Sequence, residues 1–279
     1  MIKSLLIQIL QLLPSSLIAQ LAQSKASSQI SRLAYLGIKN RDFTMRQGIG
    51  KGLKFNAGKA NPETALGTYE LPVQQALSNY LKPGDVFYDI GANVGFFTVI
   101  AAKLVGSAGK VYAFEPDQQN SARVRHNLQL NQFSNTTVWQ KAVSHTTGTG
   151  ELLLAEYSGG HTLSVVDRPP DFAGSTIVEI VSIDDLINQG QLTPPNVVKI
   201  DVEGAELDVL QGMLQTIKQY QPIIIYEVDA AKADSFQQKN ESITNLISSL
   251  NYQIVPLENS YQEINWHVGH AIAIPASSR

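Results

Sequence analysis

Cysteine is absent from this chain. That removes disulfides, thiolate metal sites and a cysteine nucleophile together. A surplus of basic charge is lacking as well. Lys and Arg number 21 against 24 Asp and Glu, for a formal net charge of −3. The basic residues are scattered, and no basic face of the kind that grips a phosphate backbone is evident. A DNA or RNA partner is therefore not expected. Long apolar runs are missing too. Residues 1–24 open with one lysine before an apolar stretch, as a secretory signal does. Gln8, Gln11, Gln20 and Gln23 interrupt that stretch and Pro14 breaks it. No run reaches the ~18 residues of a membrane-spanning helix. Ile2, Leu6, Ile9, Leu13 and Leu17 recur instead at helical spacing. The expectation is an N-terminal helix packed on the main domain. Peripheral contact with a membrane or a partner is the alternative, and a cleaved signal is a third reading.

What is present suits one large α/β domain. The chain has 279 residues, 43% of them hydrophobic, enough to bury a full core. Residues 46–65, rich in Gly, Lys and Asn, read as a loop or irregular hairpin. Leu71 to Leu81 has helical spacing and stops at Lys82-Pro83-Gly84. Strands and helices then alternate, which predicts a sheet with helices on both faces. Expected strands are Val86–Ile90, Lys110–Phe114, Thr137–Val143, Ile177–Val181, Asn196–Ile200, Pro222–Tyr226, Tyr252–Val255 and His267–Ile274. Expected helices are Phe96–Leu104, Asp117–Leu130, Ser182–Asn188, Glu206–Gln219 and Glu241–Leu250. Residues 144–176 are rich in Gly, Ser and Thr and read as hairpin and loops.

The strongest local signal is VFYDIGANVGFFT, residues 86–98. A buried strand delivers Asp89 to its carboxyl end, where open α/β sheets bind ligands. Gly91 permits a tight turn, and Gly95 lets the next helix sit close. A diphosphate prefers a ring of N–H groups with no anion nearby. This loop carries Asp89 and Asn93 and lacks the second glycine of a dinucleotide fingerprint, so it suits a cationic ligand with an ammonium group. Glu115 ends the next strand about 20 residues on, where an acid accepts hydrogen bonds from ribose hydroxyls. The structural alternative is a surface acid capping the helix near Asp117. A second cluster, VKIDVEGAE (198–206), brings Lys199, Asp201 and Glu203 to the same sheet edge. Its alternative is a capping and salt-bridge cluster that stiffens a turn. His161 and His145 are candidate bases or plain surface histidines. His267 and His270 fall in the last strand, with structural roles expected. Tyr69 and Glu70 precede the first helix and line the acceptor side in one reading. Asp184 and Asp185 read as acids of a helix first turn.

The order IGANVGFFT, VYAFEP, VSIDDL, KIDVEGAE and PIIIYEV resembles the FkbM family of S-adenosylmethionine-dependent methyltransferases, over about residues 67–230. The resemblance implies a class I methyltransferase fold, Rossmann-like. Its sheet is mostly parallel and seven-stranded, with helices on both faces and a reversed terminal hairpin. Here residues 1–66 would add an N-terminal helical extension and irregular segment to a 67–279 methyltransferase domain. Known members mainly methylate hydroxyls of polyketides, sugars and related compounds. By the same resemblance Asp89, Gly91, Asn93 and Gly95 face the methionine part of S-adenosylmethionine and Glu115 its ribose. Gln140, Lys141 and Ala142 lie where adenine would sit.

The implied function is O-methylation of a small-molecule or glycan hydroxyl by a cytoplasmic enzyme, with Asp201, Glu203 and His161 as catalytic candidates. An NAD-type dehydrogenase and a non-catalytic ligand-binding protein are the rivals. For an amino-directed nucleic-acid methyltransferase, an Asn or Asp followed by Pro-Pro and an aromatic residue would follow the fourth parallel strand. Asp201-Val202-Glu203-Gly204 stands there instead. Asp201, Glu227 and Asp229 would together offer oxygen ligands to Mg²⁺. Lys199 beside them favours metal-free accounts, with an acid taking the proton or the cluster acting as a structural turn.

Overall fold

A strand covered by helices on both faces reads as an unbroken apolar run. Val86–Ile90 is such a run, and all five residues are buried. The computed structural model of the chain describes residues 37–38, 40–156, 160–164, 169, 171–260 and 267–276. The stripe Ile2, Leu6, Ile9, Leu13 and Leu17 lies outside the described residues. A short hairpin comes first, β1 (Phe43–Thr44) pairing with β2 (Lys54–Phe55). One helical turn, α1 (Glu63–Leu66), and helix α2 (Leu71–Tyr80) follow. Then β3 (Val86–Ile90), α3 (Phe96–Val105), β4 (Lys110–Phe114), α4 (Gln118–Leu130) and β5 (Thr136–Trp139) alternate. Next come β6 (Ala142–Val143), β7 (Gly148–Ala155), β8 (Thr162–Leu163) and β9 (Phe172–Val181). After α5 (Ile183–Asn188) and β10 (Val197–Ile200) stand α6 (Glu206–Gln211) and α7 (Leu214–Tyr220). The last elements are β11 (Ile223–Ala230), α8 (Ala233–Ser249), β12 (Tyr252–Pro256) and β13 (His267–Pro275).

The main sheet has the order β12-β13-β11-β10-β3-β4-β5. The run from β11 to β5 is parallel, and β13 is antiparallel to both β11 and β12. Successive side chains point to opposite faces, and the core divides accordingly. Phe87, Val197, Ile225 and Ile272 pack with α2, α3 and α4. Tyr88, Val198, Ile224 and Ala273 pack with α5, α6, α7 and α8 on the other face. Phe43, Met45, Phe55 and Leu66 belong to the first of these clusters, so the small hairpin is part of that core. Among the described residues no helix is long and apolar enough to cross a membrane.

Some expected elements take a different form. The strand expected over Thr137–Val143 is divided between two sheets. Its first half, β5, pairs with β4, and its second half, β6, joins the order β6-β9-β7-β8. Gln140 and Lys141 carry the chain across, and the Lys141 ammonium is held 2.8 Å from Glu179 of β9. The helix expected over Glu206–Gln219 is broken at Gly212. A Cβ there would run into the carbonyl of Ser144. Asp184 caps the second piece, accepting from the N–H groups of Gln215 and Thr216 at 2.9 and 2.8 Å. The helix expected from Glu241 starts earlier, at Ala233.

Candidate active site

Strand order reverses between β3 and β10. From that pair β4 and β5 extend one way, and β11, β13 and β12 the other. In open α/β sheets the crevice at such a reversal, beyond the carboxyl ends, is where ligands bind. The two strand ends meet closely. Gly91 has φ +82°, and an added Cβ would land on the carbonyl oxygen of Asp201. Glycine is thus required there twice, by conformation and by space. Asn93 follows with φ 48°, a left-handed state that Asn tolerates better than most residues.

The hydrogen bonds of this loop decide what it can hold. The N–H groups of Gly91 and Ala92 both donate to the Phe114 carbonyl, at 3.1 and 3.0 Å. Asn93 N–H donates to Glu115 Oε2 at 2.8 Å, and Gly95 N–H to the Ala92 carbonyl at 2.7 Å. These donors are used within the protein. Acceptors are left over. Asp89 is buried, and its Oδ2 accepts from the Thr98 hydroxyl. Asp89 Oδ1 and Asn93 Oδ1 are buried with no hydrogen-bond partner among the described residues. Orphaned buried acceptors of this kind call for a donor. The loop therefore fits an ammonium better than a phosphate. Burial pushes the Asp89 carboxyl up, against the pull of Lys199 and the Thr98 hydrogen bond. Burial also pushes Glu115 up to about 8, although its carboxylate accepts from Asn93 and Asp117.

The second cluster closes the other side. A shallow cleft is lined by Gly91, Asn93, Tyr69, Phe97, Lys199 and Asp201, among others. Lys199 is buried, with its ammonium 2.8 Å from Asp201 Oδ2 and 4.8 Å from the centre of the Phe97 ring. Burial works against that charge, but Asp201, Asp89 and Glu70 hold it and raise its pKa above the usual range. Glu206 clamps the turn, accepting from Val202 N–H at 3.2 Å and Gly204 N–H at 3.0 Å. Burial, then the nearby Asp229, lift it to about 7. Glu203 takes φ 54°. Burial and the charges of Asp201, Glu227 and Asp229 hold its carboxyl well above the usual range. Its carbonyl accepts from the Thr162 hydroxyl at 2.8 Å, tying the smaller sheet to this edge.

Other sequence candidates are distributed around this core. Gly95 heads α3 with φ +85° and packs on Val124. Lys141 stands 5.5 Å over the Trp139 ring as well as pairing with Glu179, and Ala142 is buried in β6. His161 Nδ1 accepts from Ala155 N–H at 3.0 Å, and burial lowers its pKa. His145 lies 3.5 Å from Asp208. Among the described residues Asp201, Glu227 and Asp229 do not gather as one ligand set, and Asp201 is bonded to Lys199. Glu227 turns to His270, its cross-strand partner, at 2.7 Å, with Glu70 on the far side at 3.3 Å. The sequence reading left His270 as structural and missed this grouping, because only strand register sets His270 opposite Glu227. Thr98, which holds Asp89, was also missed. Its one signal is a hydroxyl within the apolar run Phe96–Ala102.

A mostly parallel sheet with a glycine turn at the reversal of strand order, and buried acids at its carboxyl edge, define a Rossmann-like α/β fold with a crevice at the usual ligand position. The chain belongs to the methyltransferase FkbM domain family, whose model matches residues 89–254. Among curated relatives it is similar to the hexuronic acid methyltransferase AglP of Haloferax volcanii, 28% identical over 160 residues, covering 56% of this chain and 61% of that protein. It is similar to the 31-O-demethyl-FK506 methyltransferase FkbM of Streptomyces tacrolimicus, 29% identical over 160 residues, with 48% and 61% covered. It is also similar to the 2-O-methyltransferase NoeI of Sinorhizobium fredii, 27% identical over 177 residues, with 59% and 70% covered. The chain thus spans 61% of the length of the first two. Among solved structures, methyltransferase FkbM from Methylobacillus flagellatus superposes with a TM-score of 0.49 at 16% identity, covering 92% of this chain and 57% of that one.

Proposed function

We propose that this chain uses S-adenosylmethionine to methylate a hydroxyl of a sugar, glycan or small natural product. The observation that carries the reading is the glycine loop. Its N–H groups at Gly91, Ala92, Asn93 and Gly95 are already bonded, while Asp89 Oδ1 and Asn93 Oδ1 have no donor among the described residues. A dinucleotide diphosphate would need those N–H groups, which disfavours a dehydrogenase. The methionine ammonium would be held by Asn93 and, deeper, by the charge of Asp89. Glu115 would accept the ribose hydroxyls, and the turn from Trp139 to Ala142 would border adenine. S-adenosylmethionine supplies an electrophilic methyl on a sulfonium. The names of two relatives, a 2-O-methyltransferase and a 31-O-demethyl-FK506 methyltransferase, support oxygen as the acceptor.

The protein's own work is positioning, which can supply much of the acceleration in such a displacement. Asp201 lines the cleft and is held in place by Lys199. It is our choice for the group that takes the acceptor proton. His161 fits that role less well, since its Nδ1 accepts from Ala155 N–H and the neutral ring then carries its proton on Nε2. Calorimetry with S-adenosylhomocysteine and with NAD tests the cofactor: binding of NAD alone overturns the reading. Turnover in Asp201→Asn and His161→Gln tests the base. The true base shows a fall in kcat of about 10²-fold or more with little change in KM for S-adenosylmethionine.

A further inference from the structure

We propose that Glu70, Glu227 and His270 form a binding site for one divalent first-row cation such as Mn²⁺ or Zn²⁺. Glu227 and His270 are in register across β11 and β13. Glu70, the left-handed residue at the start of α2, brings the third side chain over them. One donor atom from each residue lies within 4.8 Å of the other two, and all three residues are buried. His270 Nε2 is 2.7 Å from Glu227 Oε2 and 3.3 Å from Glu70 Oε2. Donors that share one Zn²⁺ at about 2.0–2.2 Å lie about 3–4 Å from each other. A cation can therefore enter with small side-chain shifts and no rebuilding of the backbone.

Charge points the same way. The carboxylates of Asp89, Asp201, Glu70 and Glu227 surround two side chains able to carry positive charge, Lys199 and His270. Glu70 and Glu227 lie close enough for each charge to disfavour the other, and a dication between them would offset that repulsion. Imidazole with two carboxylates is a donor set that Zn²⁺ and Mn²⁺ accept, whereas Mg²⁺ keeps several waters and has less room here. The Glu227 side chain keeps 10% of its surface in solvent, which leaves a way in. Tyr69, the residue before Glu70, lines the cleft, so the cation would stand beside the acceptor space.

The site is defined without reference to methyl transfer, and metal binding alone decides it. Full-length protein stripped with a chelator is titrated with Mn²⁺ under electron paramagnetic resonance and with Zn²⁺ in a calorimeter. One equivalent per chain is expected. Binding should weaken at least about tenfold in Glu227→Gln and in His270→Gln, and persist in Asp208→Asn, whose carboxylate faces His145 instead. No saturable binding up to about 1 mM, or unchanged binding in both glutamine variants, overturns the proposal. Should those variants not fold, pulsed resonance on the wild-type Mn²⁺ form replaces them. Imidazole nitrogen coupling supports the site, and couplings from water alone overturn it. S-adenosylhomocysteine titrated into the same samples separates the two readings. Metal without nucleoside binding removes only the proposed function, and the reverse removes only the metal site.

Discussion

Asn93 carries two tasks that a single substitution can separate. Its backbone sits at φ 48°, and its Oδ1 is a buried acceptor without a partner among the described residues. Glycine adopts positive φ at no steric cost, so Asn93→Gly should leave the melting temperature unchanged or slightly higher. It removes the acceptor, and a hydrogen bond to a charged group is worth about 1.5–3 kcal/mol. S-adenosylhomocysteine should then bind at least about tenfold more weakly by calorimetry. Wild-type affinity in a folded Asn93→Gly protein would take Asn93 Oδ1 out of the binding site. Glu115 behaves differently. Its two oxygens accept the N–H groups of Asn93 and Asp117. Glu115→Gln places an amide N–H against one of those donors, and leaving a buried donor unsatisfied costs about 1–3 kcal/mol. Stability and nucleoside affinity should fall together, read by thermal melts and calorimetry. A stable variant that binds normally would contradict this.

At the level of elements, turn chemistry and apolar runs were readable and sheet membership was not. Val86–Ile90 and Lys110–Phe114 are strands from end to end as expected, and Asp117 and Ser182 cap the helices that follow them. Those signals are local, lying within a few residues of the feature they specify. The divided strand at Gln140-Lys141 and the helix broken at Gly212 are not local. Both depend on a distant segment, Glu179 in one case and the Ser144 carbonyl in the other. Gly212→Ala tests the second. Forcing a methyl into that contact should cost about 1–3 kcal/mol, or a fall in melting temperature of roughly 2–12 °C. No change would mean that the helices separate with ease. The tie from Thr162 to the Glu203 carbonyl is one hydrogen bond, so Thr162→Val should cost about 1 kcal/mol. It should also speed hydrogen exchange in the turn after β10. Unaltered exchange there would show that the smaller sheet does not restrain the site.

For the whole molecule, buried acids tie stability to pH. Glu115 is raised to about 8 and Glu206 to about 7, against an ordinary 4.5 for both, each with burial as the leading cause. The folded chain keeps protons there that the unfolded chain has released. Their contribution to stability is full below about 4.5 and is lost as pH rises through those raised values. The melting temperature of the ligand-free protein should decline from about pH 5 to about pH 8. In Glu206→Gln the decline should be shallower, because one of the two groups no longer titrates. An equal slope in circular dichroism melts of the two proteins would rule Glu206 out as a contributor.

The sequence by itself determined the strand and helix alternation, the glycine loop after Asp89, the acid at Glu115 and the family. Each is written in neighbouring residues, where apolar period, glycine and end-of-strand acids constrain the chain directly. The tertiary structure decided which of these atoms have work left to do. Only packing shows that the N–H groups of Gly91, Ala92, Asn93 and Gly95 are already bonded and that Asp89 Oδ1 and Asn93 Oδ1 have no partner among the described residues. Only register sets Glu227 opposite His270, and only the start of α2 adds Glu70, which lies 157 residues before Glu227 and 200 before His270. Contacts between segments so far apart depend on how the sheet assembles, and no local pattern encodes them.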